Sequence, residues 1–334
     1  MTTSPYASDA LAKGTVDAVV IGGGAAGLNG ALILARSRRS VVVIDSGSPR
    51  NAPAEAVHGL IALDGTPPPE ILRRGREQVR QYGGRVVLGE VVSAESAAPS
   101  ADGDLRFTVT LADGRRITAR RILVATGLTD VLPQVPGLAE HWGHSVVHCP
   151  YCHGWEVRDE PIGILATGPV SIDHAYLFRQ LTEDLTYFTH GTDLDEDSRA
   201  RFAARGIRVI DTPVTEVVED GALAGVRLAD GQVVARRVLA VAAQLQARTQ
   251  GLEGLGLPVQ DLPKGRGFAS GTAGTTEVPG VWVAGNVTDL VAQVGASAAA
   301  GALAGADINR MLAIADTDAA LQGIAEASPQ GVTG

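Results

Sequence analysis

Apolar segments of two kinds alternate along the first part of the chain. Residues 16–21 form a short run rich in β-branched residues, and "LNGALILARSRR" carries apolar residues at helical spacing. The next apolar run, "SVVVID", ends at Asp45. This order predicts a strand, a tight turn, a helix and a second strand.

The turn after the first strand contains "GGGAAG", in which Gly22, Gly24 and Gly27 fit the pattern G-x-G-x-x-G. One glycine turns the chain, one lets the backbone approach a pyrophosphate, and one lets the helix pack closely on the strand. Asp45, at the end of the second strand, is placed to accept the hydrogen bonds of an adenosine ribose. The complete unit predicts a dinucleotide-binding domain.

Two later apolar runs repeat this design. "RRILVATG" is a predicted buried strand that ends at Gly127, and "GVWVAGNVTD" leads into an alanine-rich helix predicted over 296–312. Between these pieces, "PIGILATGPVSIDHAYLFRQL" starts another strand, turn and helix. The pattern therefore predicts an α/β protein with two Rossmann-like three-layer nucleotide-binding domains, the second inserted in the first.

The domain boundaries are predicted from these segments. Residues 1–128 and 258–320 form the discontinuous first domain, and residues 129–257 form the inserted domain that carries the C-x-x-C motif. Residues 321–334, rich in alanine, glycine and polar residues, are expected to form a flexible tail.

Composition narrows the range of partners. The chain is 45% hydrophobic and 19% charged, which is enough for packed cores, and its formal net charge is -9. This charge provides no basic surface for nucleic acid and is repelled by anionic membranes. The start lacks the features of a signal peptide, and no apolar run approaches the roughly 18 residues of a membrane span. We therefore expect a cytoplasmic protein without a nucleic-acid or membrane partner.

The segment "HCPYCHGWE" contains the only two cysteines of the chain, Cys149 and Cys152, followed by His153. In a reducing compartment such a pair is more often catalytic or metal-binding than structural. Three further histidines lie close by in the sequence: His141, His144 and His148. A closed zinc site usually needs four ligands, and there is no second C-x-x-C. A redox dithiol is therefore favoured over a zinc half-site or an inert disulfide, and no metal is predicted.

Taken together, "VVIGGGAAGLNGALILAR", "ILVATG", "CPYC" and "GVWVAGNVTD" resemble the low-molecular-weight thioredoxin reductase group of flavoproteins. The resemblance implies FAD in the discontinuous domain, a homodimer, and a dithiol that exchanges electrons with the flavin. Within this group, "CPYCHGWE" and "AGNVTD" are most similar to dithiol oxidases of microbial natural-product pathways, which close disulfides in gliotoxin- and holomycin-type compounds. That similarity implies a role in antibiotic biosynthesis or self-protection.

The resemblance also implies roles for single residues. Cys149 exchanges with the substrate and Cys152 attacks the flavin, while His153 stands where thioredoxin reductases carry an aspartate acid/base. Histidine, with an ordinary pKa of about 6.5, can take a proton from an incoming thiol and return it later. Tyr151 and Trp155 are candidates for stacking on a substrate, with packing as the alternative.

The implied FAD contacts lie in the glycine turn, after the second strand, after "ILV" and in the C-terminal motif. They are Gly22, Gly24, Ala26, Gly27, Asp45, Asn51, Ala125, Thr126, Gly127, Gly285, Asn286, Gln293 and Val294. Asn286 replaces the family's aspartate and keeps its hydrogen-bonding capacity without the charge, and Val294 is expected to contribute only its backbone. Asn51 and His58 are candidates for flavin or substrate contacts, or for ordinary loop residues.

The inserted domain departs from the family pattern at both parts of the NADPH site. The family has G-x-G-x-x-A at its second glycine turn, whereas "ATGPVS" has Ala166 first and Pro169 after its glycine. Gly191 and Thr192 stand where the family has arginines, and four acids follow: Asp193, Asp195, Glu196 and Asp197. Each lost charged hydrogen bond costs roughly 1.5–3 kcal/mol, so two weaken binding by about 10² to 10⁴-fold. NADPH is not expected as the reductant, and the altered turn also disfavours NADH.

Without hydride from a nicotinamide, electrons are expected to flow from a small-molecule dithiol to the Cys149–Cys152 disulfide, then to FAD and to O2, giving H2O2. The expected activity is that of an FAD-dependent dithiol oxidase. Two alternatives stay open. One is a thioredoxin-type disulfide reductase that uses NADPH or a donor such as ferredoxin, and the other is a non-catalytic flavoprotein that sequesters its ligand.

Overall fold

The computed structural model describes residues 8–262 and 264–327. The helices are α1 (Ala25–Arg36), α2 (Pro68–Gln81), α3 (Pro150–His153), α4 (Val170–Phe178), α5 (Glu196–Ala204) and α6 (Val294–Ala327). The strands of the first half are β1 (Thr15–Ile21), β2 (Val41–Asp45), β3 (Arg85–Leu88), β4 (Val91–Ala97), β5 (Arg106–Leu111), β6 (Arg116–Val124), β7 (Leu128–Val131), β8 (Val146–Val147) and β9 (Ile162–Leu165). Those of the second half are β10 (Leu185–Phe188), β11 (Arg208–Ile210), β12 (Val214–Glu219), β13 (Leu223–Leu228), β14 (Val233–Ala235), β15 (Val238–Val241), β16 (Gln244–Ala247), β17 (Val259–Leu262), β18 (Gly265–Phe268) and β19 (Val281–Val283).

The contacts between residues divide the chain into two compact units. The first comprises residues 1–50, 69–129 and 245–334, and the second comprises residues 51–68 and 130–244. The second unit thus includes a loop from the early part of the chain. Residues 245–257, which we expected in the inserted domain, belong to the first unit.

The first unit is built on a seven-stranded sheet in the order β3-β2-β1-β6-β5-β4, with β19 also paired to β6. Strands β1, β2, β3, β6 and β19 run parallel to one another, while β5 pairs antiparallel with both β6 and β4. The register sets Val20 beside both Val43 and Leu123, and all three are fully buried. Because parallel strands end at the same edge of a sheet, the turns after β1, β6 and β19 meet there.

Helices α1 and α6 pack against each other through small residues. A methyl group on Gly301 would collide with the carbonyl oxygen of Ala26, and one on Gly305 would lie 2.5 Å from the carbonyl oxygen of Gly30. Larger residues at these positions would force the helices apart, because protein interiors are close-packed. This contact explains why the sequence of α6 is rich in alanine and glycine.

Helix α6 is longer than the sequence pattern predicts. It continues to Ala327, so residues 321–327, which we expected in a flexible tail, are helical. Residues 328–334 of that expected tail lie outside the described residues. Among the helices in the described part of the chain, none combines the length and hydropathy of a membrane span.

The second unit has a five-stranded parallel sheet in the order β11-β10-β9-β15-β8 and a three-stranded antiparallel sheet, β12-β13-β14. Its core brings together Phe178 of α4, Tyr187 of β10 and Phe202 of α5. The rings of Tyr187 and Phe202 are 5.0 Å apart between centroids. The turns after β9 and β10 lie at the carboxyl edge of the sheet, where an α/β domain binds nucleotides.

Candidate active site

Helix α3 carries the C-x-x-C pair in the second unit. Cys149 and Cys152 form a disulfide, and their Cα atoms are 5.3 Å apart. Cys149 is the N-cap residue of α3, and its Sγ accepts a hydrogen bond from the backbone N–H of Cys152 at 3.2 Å. Pro150 follows at the helix start, where its fixed φ suits the first turn. After reduction, the N–H of Cys152 would stabilise a thiolate at Cys149.

Aromatic side chains beside the disulfide are exposed. Tyr151 and Trp155 have 67% and 68% of their surface accessible, and the Arg158 Cζ lies 4.2 Å from the centroid of the Trp155 ring. His148 is engaged differently, since its Nδ1 lies 3.1 Å from the carbonyl oxygen of Val241. Tyr151 and Trp155 therefore do not pack in a core and are open to a ligand.

His153 follows Cys152 and is half-buried. Both of its ring nitrogens are buried and have no hydrogen-bond partner among the described residues. Burial lowers the pKa of His153, and the negative charge of Glu156 acts against this effect. Positive charge on His58 or His144 lowers the pKa further. The imidazole is therefore neutral at pH 7, which is the form that accepts a proton from a thiol.

A loop at 51–68 contributes a second histidine to this unit. His58 Nε2 lies 3.3 Å from Glu156 Oε1, and its Nδ1 lies 3.5 Å from Asp64 Oδ2. Asn51, an expected FAD contact, lies at the start of the same loop and belongs to the second unit. The sequence marked His58 as a candidate for a flavin or substrate contact, or for an ordinary loop residue. It did not single out Glu156, because no spacing pattern links the two residues.

The glycine turn after β1, in the first unit, has contacts that require glycine. Gly22 has φ of 109°, and a methyl group there would collide with the carbonyl oxygen of Ala125. A methyl group on Gly27 would collide with the carbonyl oxygen of Gly22, and one on Gly23 would contact the Asp45 carboxylate. These contacts draw the turn tightly between the ends of β2 and β6.

Gly24 in the same turn faces open space. It is the N-cap of α1, makes no side-chain capping bond, and is followed by a first turn without acidic residues. A helix N-terminus of this kind binds phosphate through its N–H groups and its dipole. The turn, which also contains Ala26, therefore forms a cradle for a pyrophosphate, with Asp45 placed for a ribose.

The turn after β6 reaches the same edge of the sheet. The Ala125 N–H donates to the carbonyl oxygen of Ile21 at 2.8 Å, and Thr126 Oγ1 donates to the carbonyl oxygen of Arg248 at 2.7 Å. Gly127 has φ of 72°, and its carbonyl oxygen accepts the Arg248 N–H at 2.9 Å. The expected FAD residues 125–127 thus lie beside the glycine turn.

The loop before α6 is shaped by Asn286. Its Nδ2 donates to the carbonyl oxygens of Asp289 and Ala292, both at 2.9 Å. Gly285 has φ of 75°, and a methyl group there would come 2.8 Å from the Cβ of Ala26. The Asn286 amide therefore fixes the loop itself, which the sequence did not indicate.

Helix α6 begins at Val294, directly after this loop. The carbonyl oxygen of Gln293 accepts the N–H of Ser297 at 2.9 Å, as expected at a helix start. An Arg50 NH group donates to Asn286 Oδ1 at 3.5 Å. Arg50 brings a positive charge to the same loop, and sequence reasoning missed it because no local pattern marks it.

The corresponding turn of the second unit is closed by its own side chains. The Thr167 N–H donates to Ser171 Oγ at 3.0 Å, and Thr167 Oγ1 donates to the carbonyl oxygen of Ala242 at 2.7 Å. Ser171 is fully buried. Pro169 is the N-cap of α4 and has no N–H to offer. One donor that a phosphate would use is therefore occupied, and another is missing.

The acidic segment after β10 is also engaged within the protein. Asp195 caps α5 by accepting a backbone N–H of the first turn at 2.6 Å. Asp197 pairs with Arg201 at 2.6 Å, and Arg199 pairs with Asp211 at 2.7 Å. Both arginines of α5 are thus already paired with carboxylates.

In the described residues, no three or more His, Cys, Asp or Glu side chains form a group that could hold a metal ion. The site of the second unit contains a disulfide followed by a neutral imidazole whose two nitrogens are buried. This pair is suited to thiol–disulfide exchange, in which a thiol must lose its proton before it attacks a sulfur atom.

A glycine cradle for a dinucleotide and a redox disulfide define the class of nucleotide-dependent disulfide oxidoreductases. The family model for pyridine nucleotide-disulphide oxidoreductases matches residues 16–305. The chain belongs to this family.

Individual relatives are similar over most of the chain. The thioredoxin reductase tcpT of Claviceps purpurea is 34% identical over 299 residues, which cover 87% of this chain and 92% of that protein. The solved structure of HlmI is 43% identical, with a TM-score of 0.88 and coverage of 94% of this chain and 98% of that one. An oxidoreductase from Agrobacterium tumefaciens is 36% identical, with a TM-score of 0.84 and coverage of 90% and 99%.

These comparisons confirm the predicted fold class, which is the thioredoxin reductase-like fold with two Rossmann-like domains. The resemblance to thioredoxin reductase-like flavoproteins is also confirmed. FAD is the cofactor of this family. The turn of Gly22, Gly24 and Gly27 fits the pyrophosphate of FAD. Backbone atoms crowd Gly22 and Gly27, whereas the space at Gly24, in front of the uncapped start of α1, is open.

Proposed function

We propose that the protein is an FAD-dependent oxidase of a small-molecule dithiol, with O2 as the final acceptor and H2O2 as the product. The observation that carries this proposal is the contrast between the two nucleotide-type turns. The turn at Gly24 is open, whereas the turn at Thr167 is closed by Ser171.

This contrast bears on the direction of electron flow. A reductase of this type needs a nicotinamide that delivers hydride, and the phosphates of NADPH need N–H groups and arginines. Here the Thr167 N–H is occupied and both arginines of α5 are paired. Electrons then enter from a thiol rather than from a nicotinamide.

The exchange steps on this chain balance in electrons and protons. The S–H bond of one substrate thiol breaks, its proton passes to His153, and the thiolate attacks Cys149 Sγ. The Cys149–Cys152 bond breaks, and Cys152 takes the electron pair as a thiolate. The second substrate thiol loses its proton to the Cys152 thiolate and attacks the mixed disulfide, which releases Cys149 as a thiolate. Cys149 then takes the proton held by His153. The substrate becomes a disulfide by losing two electrons and two protons, and the protein disulfide becomes a dithiol.

The assignment of Cys149 to this exchange has support in its hydrogen bond. Its Sγ accepts the N–H of Cys152, which favours the thiolate at Cys149 and makes it the better leaving group in the second exchange. Bound FAD would supply the acceptor for the two electrons of the reduced pair and would pass them on to O2.

The finer biological assignment rests on the resemblance of "CPYCHGWE" to dithiol oxidases of disulfide natural products. We include in the proposal a role in biosynthesis of, or self-protection against, such a compound. A homodimer is part of the same proposal, and the mass in solution, measured by light scattering, tests it.

The test is the stoichiometry of turnover with a dithiol that cyclises readily, such as dithiothreitol. We expect one O2 consumed and one H2O2 formed for each disulfide. Cys149→Ser and Cys152→Ser should each lower the rate by at least about 10³-fold, because no disulfide remains to exchange. Both variants should keep their flavin absorbance, which shows that the FAD domain is intact. Substrate oxidation without O2 uptake, or a Cys149→Ser variant as active as the wild type, would contradict the proposal.

A further inference from the structure

The loop at 51–68 folds into a compact structure that presents His58. Val57 and Thr66 form an antiparallel bridge, and the Val57 N–H donates to the Thr66 carbonyl oxygen at 2.9 Å. The Gly59 N–H donates to Asp64 Oδ1 at 2.8 Å. These bonds close the loop on both sides of His58, so the backbone that carries its side chain is held in place.

His58 lies between two carboxylates. Its Nδ1 is 3.5 Å from Asp64 Oδ2 and its Nε2 is 3.3 Å from Glu156 Oε1, and 24% of its side chain is exposed. Glu156 is the last residue of the "CPYCHGWE" motif. The loop is thus tied to the redox motif by a carboxylate that lies three residues after His153.

The carboxylate of Glu156 can stabilise a positive charge on the His153 ring. When a thiol gives its proton to the ring, a positive charge forms on a side chain whose nitrogens are both buried and have no hydrogen-bond partner in the described part of the chain. Burying such a charge is costly unless an opposite charge is near. Among the residues that the structure describes, the charge of Glu156 raises the His153 pKa, whereas charge on His58 or His144 lowers it.

We propose that Glu156, held in place by His58, is the counter-charge for the His153 imidazolium that forms when the substrate thiol is deprotonated. Glu156 is a positioning residue, since it acts through His153 and not on the reacting sulfur atoms. His58 both anchors the carboxylate and reduces its effect, because a positive charge on His58 opposes a positive charge on His153. This inference rests on the proposed dithiol oxidation.

The two partners should therefore change His153 in opposite directions. Glu156→Gln keeps an oxygen for His58 but removes the negative charge, so the His153 pKa should fall. His58→Gln removes a group that lowers the His153 pKa, so this pKa should rise. Each change alters a charge that acts on His153 and should move the titration midpoint by about half a pH unit or more. Glu160→Gln is the matched control, because it removes an equal charge from an exposed residue of the same segment.

The experiment is the titration of the His153 ring by NMR in the oxidised protein with FAD bound and no substrate present. His153→Asn assigns the signal among the seven histidines. The expected result is a lower midpoint in Glu156→Gln, a higher one in His58→Gln and no change in Glu160→Gln. In parallel, kcat/KM for dithiothreitol should fall roughly fivefold in Glu156→Gln, since about 1 kcal/mol of charge stabilisation is lost.

The inference would be overturned if the His153 midpoint stayed unchanged, or moved in the same direction in both variants. The contact between His58 and Glu156 would then only stabilise the loop. If the midpoints move as expected but the wild-type protein oxidises no dithiol, the proposed function fails and the electrostatic coupling stands. If dithiol oxidation proceeds and Glu156→Gln leaves kcat/KM unchanged, the counter-charge inference alone fails.

Discussion

His153 links the chemistry of the disulfide to the environment of a single side chain. Burial lowers its pKa, while Glu156 acts against this shift and prevents the ring from becoming too weak a base. A neutral imidazole of reduced basicity is present at neutral pH and releases its proton readily after the exchange.

This environment predicts a pH profile. As pH falls through the lowered pKa of His153, the ring gains a proton and ceases to act as a base, so kcat/KM for the dithiol should fall only below the ordinary histidine value of about 6.5. His153→Asn should lower kcat/KM by about 10²-fold or more and remove this acidic limb. The measurement is the O2-uptake rate from pH 5 to pH 8. An unchanged acidic limb in the His153→Asn variant would show that another group is the base.

At the scale of residues, local sequence patterns predicted the groups that are close along the chain. The spacing of "CPYCH" indicated a redox pair with a histidine, and "GGGAAG" indicated the glycines that the backbone contacts require. His58 and Glu156 were not paired, and Arg50 was missed, because these contacts arise only when distant segments of the chain fold together.

Helix starts and helix packing decide function and stability at the scale of elements. Helices α1 and α4 both follow a parallel strand, but α1 begins at an open glycine, whereas Ser171 in α4 occupies the Thr167 N–H. The sequence indicated a damaged turn from Ala166 and Pro169. It did not indicate that Ser171 closes the turn, because that bond depends on the rotamer of a buried hydroxyl.

The packing of α1 on α6 provides a test of the small-residue interface. Gly301→Ala should destabilise the protein by roughly 1–3 kcal/mol, because the added methyl group meets the Ala26 carbonyl oxygen and outweighs the gain in helix propensity of about 1 kcal/mol. Gly323→Ala in the same helix is the control, since no atom lies within 4 Å of the new Cβ. It should leave stability unchanged or raise it slightly.

Thermal and urea unfolding of the two variants give the comparison. The two substitutions are chemically identical and lie in one helix, so the helix propensity effect is shared between them. An equal change in both would show that α1 and α6 do not approach as closely as described.

The whole molecule combines two nucleotide-type units of which one keeps the features that bind a dinucleotide. The order of motifs along the chain predicted two Rossmann-like domains, and the family relationship confirms them. The pattern placed a boundary at 257, whereas the units divide at 244, and residues 51–68 belong to the second unit. Apolar periodicity identifies strands but does not show which sheet they join, so these limits could not be derived from the sequence.

Electrons are proposed to flow from a dithiol and not from NADPH. The decisive measurement is the flavin absorbance of the purified protein under anaerobic conditions, first with excess NADPH and then with dithiothreitol. We predict that the flavin stays oxidised with NADPH, is bleached by the dithiol, and is restored by air with release of H2O2. Rapid bleaching by NADPH would contradict this direction and would indicate that the protein is an NADPH-dependent reductase.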